Sequence, residues 1–224
     1  LRLPFALTIG ELRIGELQVE ATSPLRDVAA RVELGHDAGR EHRVPSLTLR
    51  ADRARASGNA RIATDPPFAL DAQLQATSID GAPRPWQANA KATGPLAAMA
   101  VTAQLTSPQA AGAQLDAQAT VSPFAAWPLS QLQASTRALD LSALFADAPQ
   151  TQIAGEARID TQGLDQPITA SVKLANAQAG RWDERRLPLA EVELDIAGRA
   201  DQRDRLTLRR FDLLAPGDGG RAAV

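Results

Sequence analysis

The sequence predicts an all-β chain: an elongated, curved antiparallel meander of half-pipe shape, with an apolar concave face and at most one or two short helices. Three observations predict it. Apolar and polar residues alternate with period two almost from end to end, the mark of strands with one greasy and one wet face. Turn signals recur too closely to leave room for a crossover helix between strands, so neighbouring strands should run antiparallel. Helical periodicity is confined to a few residues. Residues 1–224 read as one continuous segment of a longer repetitive sheet protein, with irregular insertions near 122–131 and 140–148.

The first strands come from Phe5, Leu7 and Ile9, then Leu12 and Ile14, then Leu17 and Val19, with Gly10 and Gly15 expected as bulges or bends between short stretches. Val28, Ala30, Val32 and Leu34 continue the pattern into a turn at Gly35-His36-Asp37-Ala38-Gly39, after which Val44, Leu47 and Leu49 resume it. The middle of the chain alternates through Leu70, Ala72 and Leu74, through Trp86, Ala88 and Ala90, through Val101, Ala103 and Leu105, and through Leu115, Ala117, Ala119 and Val121. The last third repeats the design with Ile159, with Ala170, Val172 and Leu174, with Val192, Leu194 and Ile196, and with Leu206 and Leu208 before Phe211. Asp65-Pro66-Pro67, Gly94-Pro95, Gln162-Gly163 and Gly217 to Gly220 supply turns between them. Asp140 is an N-cap candidate for a short helix that should stop before Pro149.

Composition narrows the function. With 24 basic and 26 acidic residues the chain lacks the concentrated positive charge that nucleic-acid binding by counterion release needs. Cysteine is absent, which removes disulfides, thiolate metal sites and cysteine nucleophiles together. The 44% hydrophobic content is nearly half alanine, and tyrosine is missing, so a thick globular core is not expected.

The side chains that carry catalysis are sparse. His36 and His42, with Asp37 and Glu41, are the one candidate metal cluster, and their spacing around a glycine turn reads as a solvated loop. Asp183 and Glu184, or Asp201 and Asp204, sit beside arginines as ordinary charged turns and not as an acid and base pair. Arg50, Arg53, Arg55 and Arg61 alternate with alanines as the wet side of strands. Trp86, Trp127 and Trp182 are too dispersed for a stacking platform. No catalytic residue, metal site or cofactor is assigned.

Four stretches carry a family likeness: Leu7-Thr8-Ile9-Gly10-Glu11-Leu12-Arg13-Ile14-Gly15-Glu16-Leu17; Gly94-Pro95-Leu96 with Val101-Thr102-Ala103-Gln104-Leu105; Val121-Ser122-Pro123-Phe124-Ala125-Ala126-Trp127-Pro128-Leu129 running into Leu139-Asp140-Leu141-Ser142-Ala143-Leu144; and Ala179-Gly180-Arg181-Trp182-Asp183 before Leu187-Pro188-Leu189. Together they resemble the TamB family of translocation and assembly modules, within the AsmA-like bacterial envelope proteins, over essentially the whole chain. The resemblance implies a periplasm-crossing protein of a Gram-negative bacterium, anchored in the inner membrane by a helix upstream of this segment. It also implies an outer-membrane barrel partner, TamA, engaged through regions outside this segment, with roles in outer-membrane protein insertion and in moving phospholipid between the membranes.

The alternation leads independently to a similar expectation. A dozen or so strands at about 4.8 Å spacing make a gutter roughly 60 Å long with one continuous apolar face, and no other element of the sequence is available to cover it. Phospholipid acyl chains suit such a face, since they need burial and no directional bonds. The expected lining is Leu70, Leu74, Val101, Leu105, Leu115, Val121, Ile159, Val172, Leu174, Val192, Leu194 and Ile196. The alternative is a chaperone-like scaffold that holds outer-membrane or autotransporter β-strands by strand addition during insertion.

Overall fold

The computed structural model describes residues 2–18, 24–79, 81–108, 112–145, 147–161, 166–199, 207–216 and 221–223. Within them the chain forms a single antiparallel sheet of 14 strands whose spatial order is the order in sequence. The strands are β1 Leu7–Leu17, β2 Leu25–Gly35, β3 Glu41–Arg50, β4 Ala54–Ala63, β5 Ala69–Ser78, β6 Gln87–Pro95, β7 Met99–Thr106, β8 Gln114–Val121, β9 Leu129–Leu139, β10 Ile153–Thr161, β11 Pro167–Asn176, β12 Glu191–Arg199, β13 Thr207–Leu214 and β14 Arg221–Ala223. The sheet is open. Among the described residues its substantial inter-strand contacts are all between hydrogen-bonded neighbours, so no second layer of these residues packs on it and β1 does not meet β14. The predicted all-β meander is therefore the observed one.

Twist and bulges curve the sheet. Register shifts fall between Ile9 and Leu12, between Val44 and Leu47, between Ile153 and Gly155 and between Asp195 and Ile196. The expected breaks at Gly10 and Gly15 merge into one strand, β1, with its only irregularity near Gly10. Once Ile14 pairs with Val28 and Glu16 with Arg26, the ladder carries the chain straight through Gly15. The irregular segment expected over 122–131 is also shorter, because β9 resumes at Leu129. Leu206, the Gln162-Gly163 and Gly217 to Gly220 turns, Val19 and the Asp201 and Asp204 pair lie outside the described residues.

Two short helices interrupt the sheet. The first, α1, His36–Gly39, is a tight turn in which Gly35, Asp37 and Ala38 adopt left-handed backbone. The second, α2, Leu141–Leu144, starts at Asp140 as its sequence suggested, the Asp140 carboxylate accepting from the Ser142 amide at 3.1 Å. A 3₁₀ turn covers Trp182–Glu184. None of the helices among the described residues is long and apolar enough to cross a membrane.

Candidate functional site

Strand pairing aligns the alternating side chains into lines that run across the sheet. One line passes through Leu12, Ala30, Leu47, Gly58, Leu74 and Ala90. It continues through Ala103, Ala117, Ala134, Ala157, Val172, Leu194 and Phe211 without meeting a polar side chain on thirteen strands. At about 4.8 Å per strand the line is roughly 58 Å long. The adjacent line on the opposite face reads Asn59, Gln73, Lys91, Thr102, Gln118, Gln133, Arg158, Ser171, Asp195 and Arg210. Segregation of the two faces is thus kept strand after strand, because a slip of one residue anywhere would have exchanged them.

All twelve residues expected to line a groove lie on the apolar face. Leu105 is buried, Leu74 is exposed and the other ten are half-buried. Their partial exposure follows from the single-layer architecture: neighbours on the same face shield each side chain laterally, and nothing lies above most of them. In the centre the face has a distinct relief. From β6 to β10 the line consists of Ala90, Ala103, Ala117, Ala134 and Ala157, bordered on one side by Val101, Leu132 and Ile159 and on the other by Leu105 and Leu115. Small side chains between larger ones make a shallow lane across five strands, closed at its ends by Leu74 and Val172.

The rim formed by the β5–β6, β9–β10 and β11–β12 connections holds the most ordered polar cluster. Asp140, 5% exposed, accepts from the Ser142 amide and hydroxyl and from the Thr151 amide at 2.9–3.1 Å, and is also paired with the Arg84 guanidinium. Thr151, 1% exposed, accepts from the Leu141 amide at 2.9 Å and donates to the Leu139 carbonyl at 3.0 Å. Asn176 bridges to the next connection by accepting from the Gln152 and Gln178 amides. Replacing Thr151 by Val removes the partner of a part-buried amide and of a part-buried carbonyl, which should cost about 1–3 kcal/mol. Thermal unfolding together with hydrogen exchange at the Leu141 amide tests this; unchanged exchange there would refute the assignment.

The remaining candidates are placed apart from the lane. His42 Nδ1 accepts from the Gly35 amide at 3.0 Å and His36 faces Glu33 at 3.7 Å, so the two histidines serve the β2–β3 hairpin. Among the described residues no three potential metal ligands converge. Arg50, Arg55 and Arg61 sit on the polar face, where Arg50 pairs with Asp27 at 3.5 Å and Arg61 with Asp71 at 3.0 Å, whereas Arg53 lies in the turn between β3 and β4 and not on a strand. Asp183 pairs with Arg181 at 2.9 Å on an exposed turn. A polar hollow of about 770 Å³ opens over Thr102, Gln118, Gln133, Arg158, Ser171 and Asp195.

At the exposed Arg2 and Asp65 pair, a hydrogen bond from the guanidinium holds the carboxyl below its ordinary range. The same cause lowers Asp37 beside Arg40.

Sequence reasoning missed Arg84 and Thr151 and misplaced Trp86. The alternation put Trp86 inside a strand, whereas β6 begins at Gln87 and the Trp86 indole turns to donate to the Ala143 carbonyl at 3.1 Å. The one signal available was Asp140, whose capping role was legible; its partners lie on loops 56 and 11 residues away. Trp127 donates to the Leu129 carbonyl at 2.5 Å and Trp182 is exposed. Comparison of the chain with protein-family models, with curated proteins and with solved structures finds no match in any of the three.

Proposed function

We propose that this segment is a non-enzymatic conduit for phospholipid acyl chains, part of the periplasmic body of a TamB-like protein that supports lipid transport between the inner and outer membranes and outer-membrane protein assembly. The observation that carries the reading is the uninterrupted apolar line from Leu12 to Phe211, most of it open above. A surface of that extent in water favours occupation by apolar guests. Acyl chains gain about 0.8 kcal/mol for each methylene fully buried, need no hydrogen-bonding partner, and can slide because no point of the face is chemically special. Headgroups remain in water at the open side. The alanine lane supports the same reading, since small side chains leave the space that a linear hydrocarbon fills.

A photoreactive residue at Leu115, on the apolar face, and another at Gln118, on the polar face of the same strand, test it in cells. Acyl adducts identified by mass spectrometry are expected from the first position and not from the second. Absence of acyl adducts at Leu115 would sink the proposal. Peptide adducts from positions on β1, at one end of the described sheet, would favour the rival scaffold that captures strands of client proteins.

A further inference from the structure

Among the described residues the apolar face is most deeply covered around Leu105, toward the end of β7. Helix α2 leaves the end of β9 and sits with Leu144 and Ala143 around Leu105, which is 6% exposed although it belongs to the same face as its half-buried neighbours. Four residues of helix are too few to hold their shape unaided. Two side chains of one loop supply ties from across the sheet: the Arg84 guanidinium on the Asp140 carboxylate, and the Trp86 indole on the Ala143 carbonyl at 3.1 Å. The β5–β6 loop and α2 are three strands apart in the sheet, so these ties span the mouth of β7 and β8.

The cover is not packed to interior density. A space of about 130 Å³, several times the share of one water molecule, remains among Trp86, Leu105, Leu139, Ala143 and Leu144. Near the end of β9, opposite the register shift between Ile153 and Gly155, Ala138 has φ 51°, a left-handed conformation costly for a residue with a Cβ. A bulged strand end leading into it, a half-open cleft beside it and side-chain ties at the tip describe an element with a second position available to it.

From this we infer that α2 is a latched cover: Arg84 and Trp86 hold it over the Leu105 border of the alanine lane, and its release admits acyl chains to that part of the face. The cover itself is argued from α2 and its ties; its action on acyl chains rests on the conduit reading. Charge accounts for the strength of the latch and for its reversibility. Asp140 keeps its bonds from Ser142 and Thr151 when Arg84 departs, so opening leaves no carboxylate stranded. Arg84, with about half of its side chain in solvent, returns to water at little cost.

Two measurements on the full chain test the inference. The native sequence has no cysteine, so Leu105→Cys provides a single thiol whose labelling rate reports the cover. In the Arg84→Met, Trp86→Phe double variant, labelling should accelerate by at least about tenfold, as expected for loss of one charge-assisted and one neutral hydrogen bond. The Ala143 and Phe145 amides, bonded to the Asp140 and Leu141 carbonyls, should exchange faster, while amides in the middle of β7 and β8 keep their protection. Labelling and exchange equal to those of the Leu105→Cys parent overturn the latch. Acyl adducts at a photoreactive Leu115 should rise in the double variant; adducts present but unchanged overturn the gating of acyl chains. Complete absence of adducts in both proteins refutes the conduit and with it the gating, while accelerated labelling would still establish α2 as an opening cover.

Discussion

Val172→Asp is expected to lower acyl-chain transfer at least tenfold while the sheet stays folded. Val172 closes one end of the alanine lane, paired with Ala157 on β10 and Leu194 on β12. A hydrocarbon passing over it must strip water from any carboxylate placed there, and the effective penalty for burying an uncompensated ion is several kcal/mol. The position lies in the middle of the apolar face, between the Ala170 and Leu174 lines, so a charge there reaches the neighbouring lines as well. The fold tolerates the change because Val172 is half-buried and no second layer rests on it, so the carboxylate reaches solvent whenever the lane is empty. Thr169→Asp, on the polar face of the same strand, is the control for added charge and should transfer lipid normally. Transfer measured between donor and acceptor vesicles, with circular dichroism to confirm the fold, decides the matter: undiminished transfer by folded Val172→Asp protein counts against the conduit.

Gly155→Ala is expected to be the most damaging single-methyl substitution in the sheet. Gly155 lies on β10 beside the register shift, at φ 149°, and a Cβ built there meets the Lys173 carbonyl oxygen at 2.0 Å and the Leu174 Cα at 2.9 Å. Both obstacles are backbone of the neighbouring strand, so no side chain can swing away. Relief requires β10 and β11 to separate or Gly155 to change its dihedrals, either of which disturbs ladders on both sides. The combined cost of disfavoured dihedrals and overpacking is about 2–5 kcal/mol. Gly15→Ala is the matched comparison, since nothing lies within 4 Å of its added methyl, and the change should be neutral or stabilising by up to about 1 kcal/mol. Denaturation midpoints of the two variants test the contrast. Equal stabilities would show that β10 and β11 accommodate the methyl.

Burial in this one-layer sheet is as much polar as apolar. Met99, Leu105 and Ala197 are the buried hydrophobic residues among those described, whereas Thr64, Asp140, Thr151, Thr161 and Asn176 are buried polar ones. In a one-layer sheet the deepest positions are not in a core between layers but at the rims, where connections fold back on strand ends. Those positions are rich in backbone groups needing partners, and short polar side chains supply them.

The amino-acid sequence by itself determined the strand class, the alternation that assigns each side chain to a face, and the start of α2 at Asp140. Each is set by interactions within a few residues: the two-residue pleat of a strand, the glycine and proline chemistry of turns, and the bond from a capping carboxylate to the second amide beyond it. Within each strand the expected lining residues share a face for the same reason, and register carries that face from strand to strand. Only the tertiary structure decided the order of alanines into a lane, because that depends on which residue of one strand stands opposite which residue of the next. It also decided that Leu105 is covered and that Arg84 and Trp86 hold the cover, since those ties join the β5–β6 loop to α2 across strands that local patterning treats as unrelated. Local periodicity specifies a face; register and long-range hydrogen bonds specify what that face contains and where it is closed.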